Sequence, residues 1–268
     1  MVLETIVISV AVLATATFAI VRAGRLKLYG ALAERAQHIR EKHRSPEVMS
    51  GSMGRHADFA RWLVSFPNAL PPATFAVLRA EIENLVDHER SRLPTHKKGG
   101  TVAYETLLAK APDVVALYYS KDFQDWLSHL IGMPIVPTPL HDQSSLSVLF
   151  YDQPGDHIGW HYDHNFYRGR HFTVLLAVIN EGHDRDGLSS AQLMVGMAGD
   201  EDVVPTPPNT MVVFEGARLV HKVTPIAQSE RRVMLSMTYC TDSRNTMIQG
   251  IARRIKDTAF FGIRSLWT

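Results

Sequence analysis

His161-Tyr162-Asp163 sets an imidazole and a carboxylate two positions apart. Side chains alternate along a strand, so His161 and Asp163 project from one face and Tyr162 from the other. Such a pair can bind one metal ion, and the third ligand must come from elsewhere. His221 is the candidate, near the start of a predicted strand after a Gly-containing turn in Leu219-Val220-His221-Lys222-Val223. Two histidines and one carboxylate leave three positions open on a six-coordinate ion, which suits ferrous ion taking a cosubstrate and dioxygen. Eleven residues later, Arg232 heads an alternating run to Tyr239. Arg232, Met234, Ser236 and Thr238 share one face, and Val233, Leu235 and Met237 share the apolar one. A guanidinium inside a barrel needs an anionic partner. A dicarboxylate chelating the metal at one end would offer its far carboxylate to it. Arg231 is adjacent. Parity favours Arg232 inward and Arg231 outward, and a turn of different length would reverse them.

These residues need a scaffold of short strands. Candidate strands are 146–151, 158–163, 172–180, 191–195, 210–214, 219–224 and 232–239, separated by breakers such as Asp152-Gln153-Pro154-Gly155 and Glu215-Gly216. Short, β-branched runs at this spacing predict a jelly roll. Before them, Pro71-Pro72 opens a helix with Phe75, Leu78, Ile82 and Leu85 at helical spacing, and residues 122–131 read as another. Lys97-Lys98-Gly99-Gly100 reads as a loop between them. The expected fold is α+β: a double-stranded β-helix flanked by helices, preceded by a membrane-anchor helix.

The order of these blocks resembles a known family, the iron(II)/2-oxoglutarate-dependent dioxygenases, and within it the prolyl 4-hydroxylase-like branch. The resemblance spans Leu146 to Tyr239 and rests on His161-x-Asp163, His221, Arg232, Gly169-Arg170-His171-Phe172-Thr173 and His221-Lys222-Val223-Thr224-Pro225. It implies Fe(II) on His161, Asp163 and His221, with 2-oxoglutarate and O2 as cosubstrates and ascorbate as a further cofactor candidate. It implies cosubstrate contacts from Arg232 or Arg231, Tyr151, Thr173 and Ser236. The implied reaction is hydroxylation of an unactivated C–H bond, with release of succinate and CO2. One departure is Ala177, standing where the branch often carries a second tyrosine. Tyr151, Ser236 and Thr238 are candidates to compensate. A non-catalytic jelly-roll metal-binding or sensor protein is the alternative. A zinc hydrolase would want a general base beside Asp163, and the His161 strand carries none.

Nearby residues divide between roles. His164 is expected on the face opposite Asp163, His157 in a solvated loop, and Trp160, Tyr162, Asn165, Phe166 and Tyr167 in the wall or mouth of the barrel. Arg170 reads equally as a substrate-facing or a structural cation. Cys240 reads as inert. It is the one cysteine, so an intramolecular disulfide and a CxxC zinc site are both excluded.

Residues 5–21 carry no charge, proline or glycine. Seventeen residues is the lower edge for a membrane helix. Arg22, Arg25, Lys27, Arg35, Arg40, Lys42 and Arg44 follow, which by the positive-inside rule puts the catalytic part in the cytoplasm. The expected divisions are an anchor (1–22), a basic helical linker (23–56), a helical substrate-side region on the barrel (57–140), the jelly-roll core (141–242) and a basic amphipathic C-terminal helix (243–268). That last helix could lie on an anionic bilayer or pack on the barrel. Lys+Arg is 28 against Asp+Glu 27, a net of +1. No global field favours nucleic acid. The substrate expected is a small molecule, a lipid or a protein side chain; the oligomeric state is open.

Overall fold

The computed structural model describes residues 2–43, 63–86, 92–93, 97–197 and 200–261. The chain begins with α1 (Val2–Lys42), β1 (Leu63–Phe66), α2 (Pro72–Glu83), β2 (Arg92–Leu93), β3 (Lys97–Lys98) and β4 (Gly100–Val102). Then come α3 (Tyr104–Lys110), α4 (Pro112–Tyr119), α5 (Lys121–Ile131), β5 (Val136–Pro137), β6 (Leu146–Tyr151), β7 (His157–His161) and β8 (His171–Glu181). β9 (Leu193–Met197), β10 (Asp200–Val204), β11 (Met211–Phe214), β12 (Val220–Val223), β13 (Arg231–Cys240) and α6 (Met247–Phe261) complete it.

Two antiparallel sheets make the jelly roll. One runs β1-β11-β8-β13-β6-β4, with β5 also on β13; the other runs β10-β9-β12-β7-β3-β2. Alternation on β13 sends Val233, Leu235 and Met237 outward to join Leu146, Val148, Phe150, Phe172, Val174 and Leu176 in the main core. That apolar outer face must be covered, and α3, α4 and α5 cover it with Leu107, Val114, Leu117, Phe123 and Leu127. β8 is therefore buried on both faces from His171 to Asn180.

This packing corrects the expected substrate-side role of residues 57–140. Their helices lie behind the sheet, and none of their described residues lines the cavity between the sheets. The Lys97–Gly100 loop is also corrected. Lys97 and Lys98 pair with β7 in one sheet, and Gly100 begins pairing with β6 in the other. A Cβ on Gly100 would overlap the Phe150 ring, so glycine permits the crossing. β10 was not expected, because Asp200, Glu201 and Asp202 are poor strand formers. They sit exposed on an edge strand, where charge discourages further pairing.

α1 is one continuous helix that runs through the expected anchor and into the expected helical linker. Its residues 8–20 are exposed throughout. Its second half docks: Leu32, Ala36 and Ile39 repeat at helical spacing and are buried against the core. Arg35 donates to the carbonyls of Leu108 and Ala109 at the C-terminal end of α3, where unsatisfied carbonyls favour a cation. Residues 44–56 of the expected linker, and the Ile263, Arg264, Leu266 and Trp267 positions of the C-terminal segment, lie outside the described residues.

Candidate metal centre and cosubstrate cavity

β7 ends at His161, two residues earlier than expected, so Asp163 stands in the following loop. Strand alternation therefore does not aim Asp163; its contacts do. The Asp163 backbone N–H donates to the Gly216 carbonyl at 2.9 Å. The Thr173 hydroxyl donates to Asp163 Oδ2 at 2.5 Å. A Cβ on Gly216 would overlap Asp163, so the Glu215-Gly216 turn forms a cradle that only glycine leaves open. Register brings His221 of β12 directly opposite His161 of β7.

The three ligand groups converge. His161 Nε2 and His221 Nε2 each lie 3.8 Å from Asp163 Oδ1, and the two imidazole centroids are 4.1 Å apart. Bond lengths of about 2 Å place neighbouring ligand atoms roughly 3–4 Å apart, so the set fits one metal ion. His161 Nδ1 lies 2.8 Å from the Gly159 carbonyl, and His221 Nδ1 lies 3.0 Å from that of Leu219. A carbonyl only accepts, so each Nδ1 carries the proton and each Nε2 presents its lone pair to the site. Burial works to raise the Asp163 pKa. His221, His161 and the Thr173 hydroxyl outweigh it and hold the carboxyl below its ordinary value, ready to bind a cation.

The triad opens into a cavity of about 400 Å³ between the sheets. Arg232, Met234, Ser236 and Thr238 all line it, and Leu149 and Tyr151 of β6 stand beside them. Arg232 lies opposite Tyr151, six positions up β13 from Thr238, which lies opposite Thr173. The guanidinium is thus separated along the strand from the Asp163 end. Arg232 is 1% exposed, and its Nε and Nη2 have no hydrogen-bond partner. The Tyr151 ring lies 5.6 Å from it. Burial pulls the Arg232 pKa down. A buried cation in this state calls for an anion in the cavity.

Arg231 is half-buried, opposite Glu181, and does not line the cavity. Thr173 is committed to Asp163, which makes it a support for the carboxylate; as a cosubstrate contact its hydroxyl proton is already spent. Ala177 packs among Leu175, Met234 and Val212. Thr238 is hydrogen-bonded to Thr138 at 2.7 Å, so Tyr151 and Ser236 remain beside Arg232 and Met234.

Other placements depart from expectation. His164 lines the cavity and stacks on Phe166, because the strand has already ended. Arg170 is structural: it grips the buried Glu215 at 3.1 and 2.5 Å and holds the cradle turn. His157 is the first residue of β7 and is not in the lining. Burial first, then Asp242, pushes the Cys240 thiol up to about 12, so it stays protonated. The sequence reading gave no role to several polar lining residues, Asp142, Ser144, His171 and Lys256 among them. His171 is buried with its Nδ1 unpartnered. Lys256 comes in from α6, bonded to Ser144 and Asp257 at 2.6 and 2.9 Å. The Gly-Arg-His-Phe-Thr block already contained His171, and alternation with Thr173 would have aimed it inward. No local signal marked Lys256.

Comparison with solved structures gives the same architecture. The chain superposes on a prolyl-4-hydroxylase of Pseudomonas putida at 18% identity, covering 70% of this chain and 96% of that one, with a TM-score of 0.52. It superposes on SnoK, a non-heme alpha-ketoglutarate-dependent carbocyclase from nogalamycin biosynthesis, at 14% identity, 78% and 94% coverage and a TM-score of 0.57. The chain has the fold of the iron(II)/2-oxoglutarate-dependent oxygenases. The epimerase SnoN, solved with Fe3+ and alpha-ketoglutarate, shares this oxygenase fold at 18% identity, 69% and 81% coverage and a TM-score of 0.53. Residues 53–178 match the family model Halogenase D, a span that contains His161 and Asp163 but neither His221 nor Arg232. No curated protein matches the sequence.

Proposed function

We propose that this protein is a membrane-anchored, Fe(II)- and 2-oxoglutarate-dependent oxygenase that hydroxylates an unactivated C–H bond. The observation that carries the proposal is the buried, unpartnered guanidinium of Arg232 in the same cavity as the His161–Asp163–His221 set. A metal-binding or sensor protein needs the three ligands but has no use for that cation. Bound there, ferrous ion would couple the oxidation of 2-oxoglutarate by O2, which yields succinate and CO2 and places one oxygen atom in the succinate, to insertion of the other oxygen atom into an unactivated C–H bond. His161, Asp163 and His221 would hold the ion, and Arg232 would pair with the distal carboxylate, Tyr151 and Ser236 beside it. Leu149, Leu175, Leu193 and Met234 keep that part of the cavity apolar, which strengthens the pairing. The lining near His164, His171, Ser144 and Lys256 is left for the substrate.

Ligand count supports oxygen insertion over halide transfer. Three protein ligands leave three positions: two for the oxo acid and one for the oxidant. A halide would need a fourth, which Asp163 would fill as a ligand. The exposed apolar residues 8–20 of α1 and the basic residues after them support the anchor, with the catalytic part on the cytoplasmic side.

The test is succinate release by the full chain with Fe(II), 2-oxoglutarate and ascorbate across peptide, lipid and small-metabolite substrates. Uncoupled release should be lost with Asp163→Ala. Full release by that variant, or failure of 2-oxoglutarate to bind the Mn(II)-loaded wild type, would overturn the oxygenase reading.

A further inference from the structure

Among the described residues, two side chains that line the cavity between the sheets hold buried nitrogens without a hydrogen-bond partner: Arg232 and His171. The proposed cosubstrate answers Arg232. His171 is 5% exposed, and nothing assigned so far answers its Nδ1. Leaving a buried polar group unpaired is costly, so a ligand group that pairs with it recovers that cost on binding.

Register places this nitrogen. His171, Thr173 and Leu175 share the cavity face of β8. Arg232 lies opposite Asn180, and Thr238 lies opposite Thr173, whose hydroxyl holds Asp163. His171 is two residues beyond Thr173, about 7 Å farther from Arg232 along the strand. Asp163 is thus held at a level between Arg232 and His171. A cosubstrate reaching from the metal to Arg232 leaves the His171 end to a substrate. The ring there is braced: it lies 17° from the plane of the Tyr167 ring with centroids 6.3 Å apart, and the Tyr167 hydroxyl is fixed by Asp142 at 2.6 Å.

The neighbouring groups say what His171 can take. Lys256 Nζ lies 2.6 Å from Ser144 Oγ, 2.9 Å from Asp257 and 3.5 Å from Asp142. Asp142 also accepts from the Ser144 N–H at 2.9 Å. Thr238 is bonded to Thr138. These groups satisfy one another and their opposite charges are paired, so this end calls for no ion. An added carboxylate would meet Asp142, and an added ammonium would meet Lys256. An imidazole nitrogen donates in one tautomer and accepts in the other. Hydroxyl and carboxamide groups are uncharged and serve either tautomer.

We propose that His171 is a specificity-determining residue, whose Nδ1 hydrogen-bonds an uncharged hydroxyl or carboxamide group of the substrate and so fixes which C–H bond faces the metal. This rests on the oxygenase reading of the cavity.

The test uses the full chain in detergent, loaded with Zn(II) in place of iron and with 2-oxoglutarate. The probes share one alkyl chain: butanol, butanamide, butyrate and butylammonium. Dissociation constants are read by ligand-observed NMR against a detergent blank. Butanol and butanamide should bind more tightly than the two ions. A hydrogen bond of ordinary net strength is a factor of about 2–12 in affinity, so His171→Phe should weaken the two uncharged probes by that factor. His171→Asn, which puts an amide near the place of Nδ1, should restore the preference. Thermal unfolding of ligand-free His171→Phe should match or exceed wild type, because Nδ1 loses no partner. Absence of any preference for the uncharged probes, a preference that survives in His171→Phe, or unfolding of that variant well below wild type would overturn the proposal. Titration of the Mn(II)-loaded protein with 2-oxoglutarate tests the parent reading separately: failure there refutes the oxygenase, whereas 2-oxoglutarate binding without probe preference refutes only the role of His171.

Discussion

Replacing Arg232 with methionine should move stability and ligand binding in opposite directions. Arg232 is fully enclosed, and two of its nitrogens have no partner. Each unsatisfied buried polar group costs about 1–3 kcal/mol. Water in the cavity recovers part of this, so an apolar side chain of similar length should stabilise the ligand-free protein by about 1–3 kcal/mol. Each kcal/mol moves Tm by about 2–4 °C in a chain of this size. The same change removes the only partner proposed for the distal carboxylate of 2-oxoglutarate. Breaking one side of a buried ion pair costs about 3–5 kcal/mol, or roughly two to three and a half orders of magnitude in affinity. Thermal unfolding of the full chain in detergent, without cosubstrate, reads the first effect. Calorimetric titration of the Mn(II)-loaded protein with 2-oxoglutarate reads the second. A variant that binds 2-oxoglutarate as wild type does would refute the reasoning, and so would one that is destabilised in the absence of ligand.

Other residues carry sharper local tests. Gly216→Ala puts a methyl into Asp163 and Thr173; Mn(II) affinity should fall about 10–100-fold, the usual cost of disturbing a ligand's support, and unchanged affinity would remove the cradle from the argument. Ile39→Ala should cost about 2–4 kcal/mol in detergent, because Ile39 is buried against the core, whereas Leu13→Ala, on the exposed half of α1, should leave the melting curve unchanged. His141 has its pKa pulled down to about 4 by burial, then by Arg253, Arg254 and Arg25, with Asp142 opposing. The folded imidazole therefore resists a proton that the unfolded chain accepts near 6.5. Its contribution to stability is complete above that value and is lost as pH falls toward 4. Urea midpoints between pH 4 and 7 should fall less steeply for His141→Phe; an identical slope would assign the acid limb elsewhere.

Alternation along a single strand was enough to sort β13. Arg232, Met234, Ser236 and Thr238 do face the cavity, because a pleated backbone sends every second side chain to one side wherever the strand is placed. The metal candidates were legible for a related reason: His161, Asp163 and His221 are chemically specific residue types on or beside short strands. Local rules failed where the backbone left the strand. Asp163 reaches the site from a loop, held by Thr173 and Gly216, and His164 turns into the cavity with it.

Composition and spacing by themselves determined that a jelly roll follows a helical region, that a seventeen-residue stretch near the start is uncharged, and which side chains could hold a metal. Only the tertiary structure decided that the helices back the sheet instead of capping the cavity, since an apolar outer face accepts any apolar cover and the sequence does not say which face a helix will take. The meeting of Arg25 with Arg253 and Arg254, from opposite ends of the chain, was likewise invisible. Each arginine alone reads as a solvated charge, and it is packing across more than two hundred residues that brings them to the wall of one cavity.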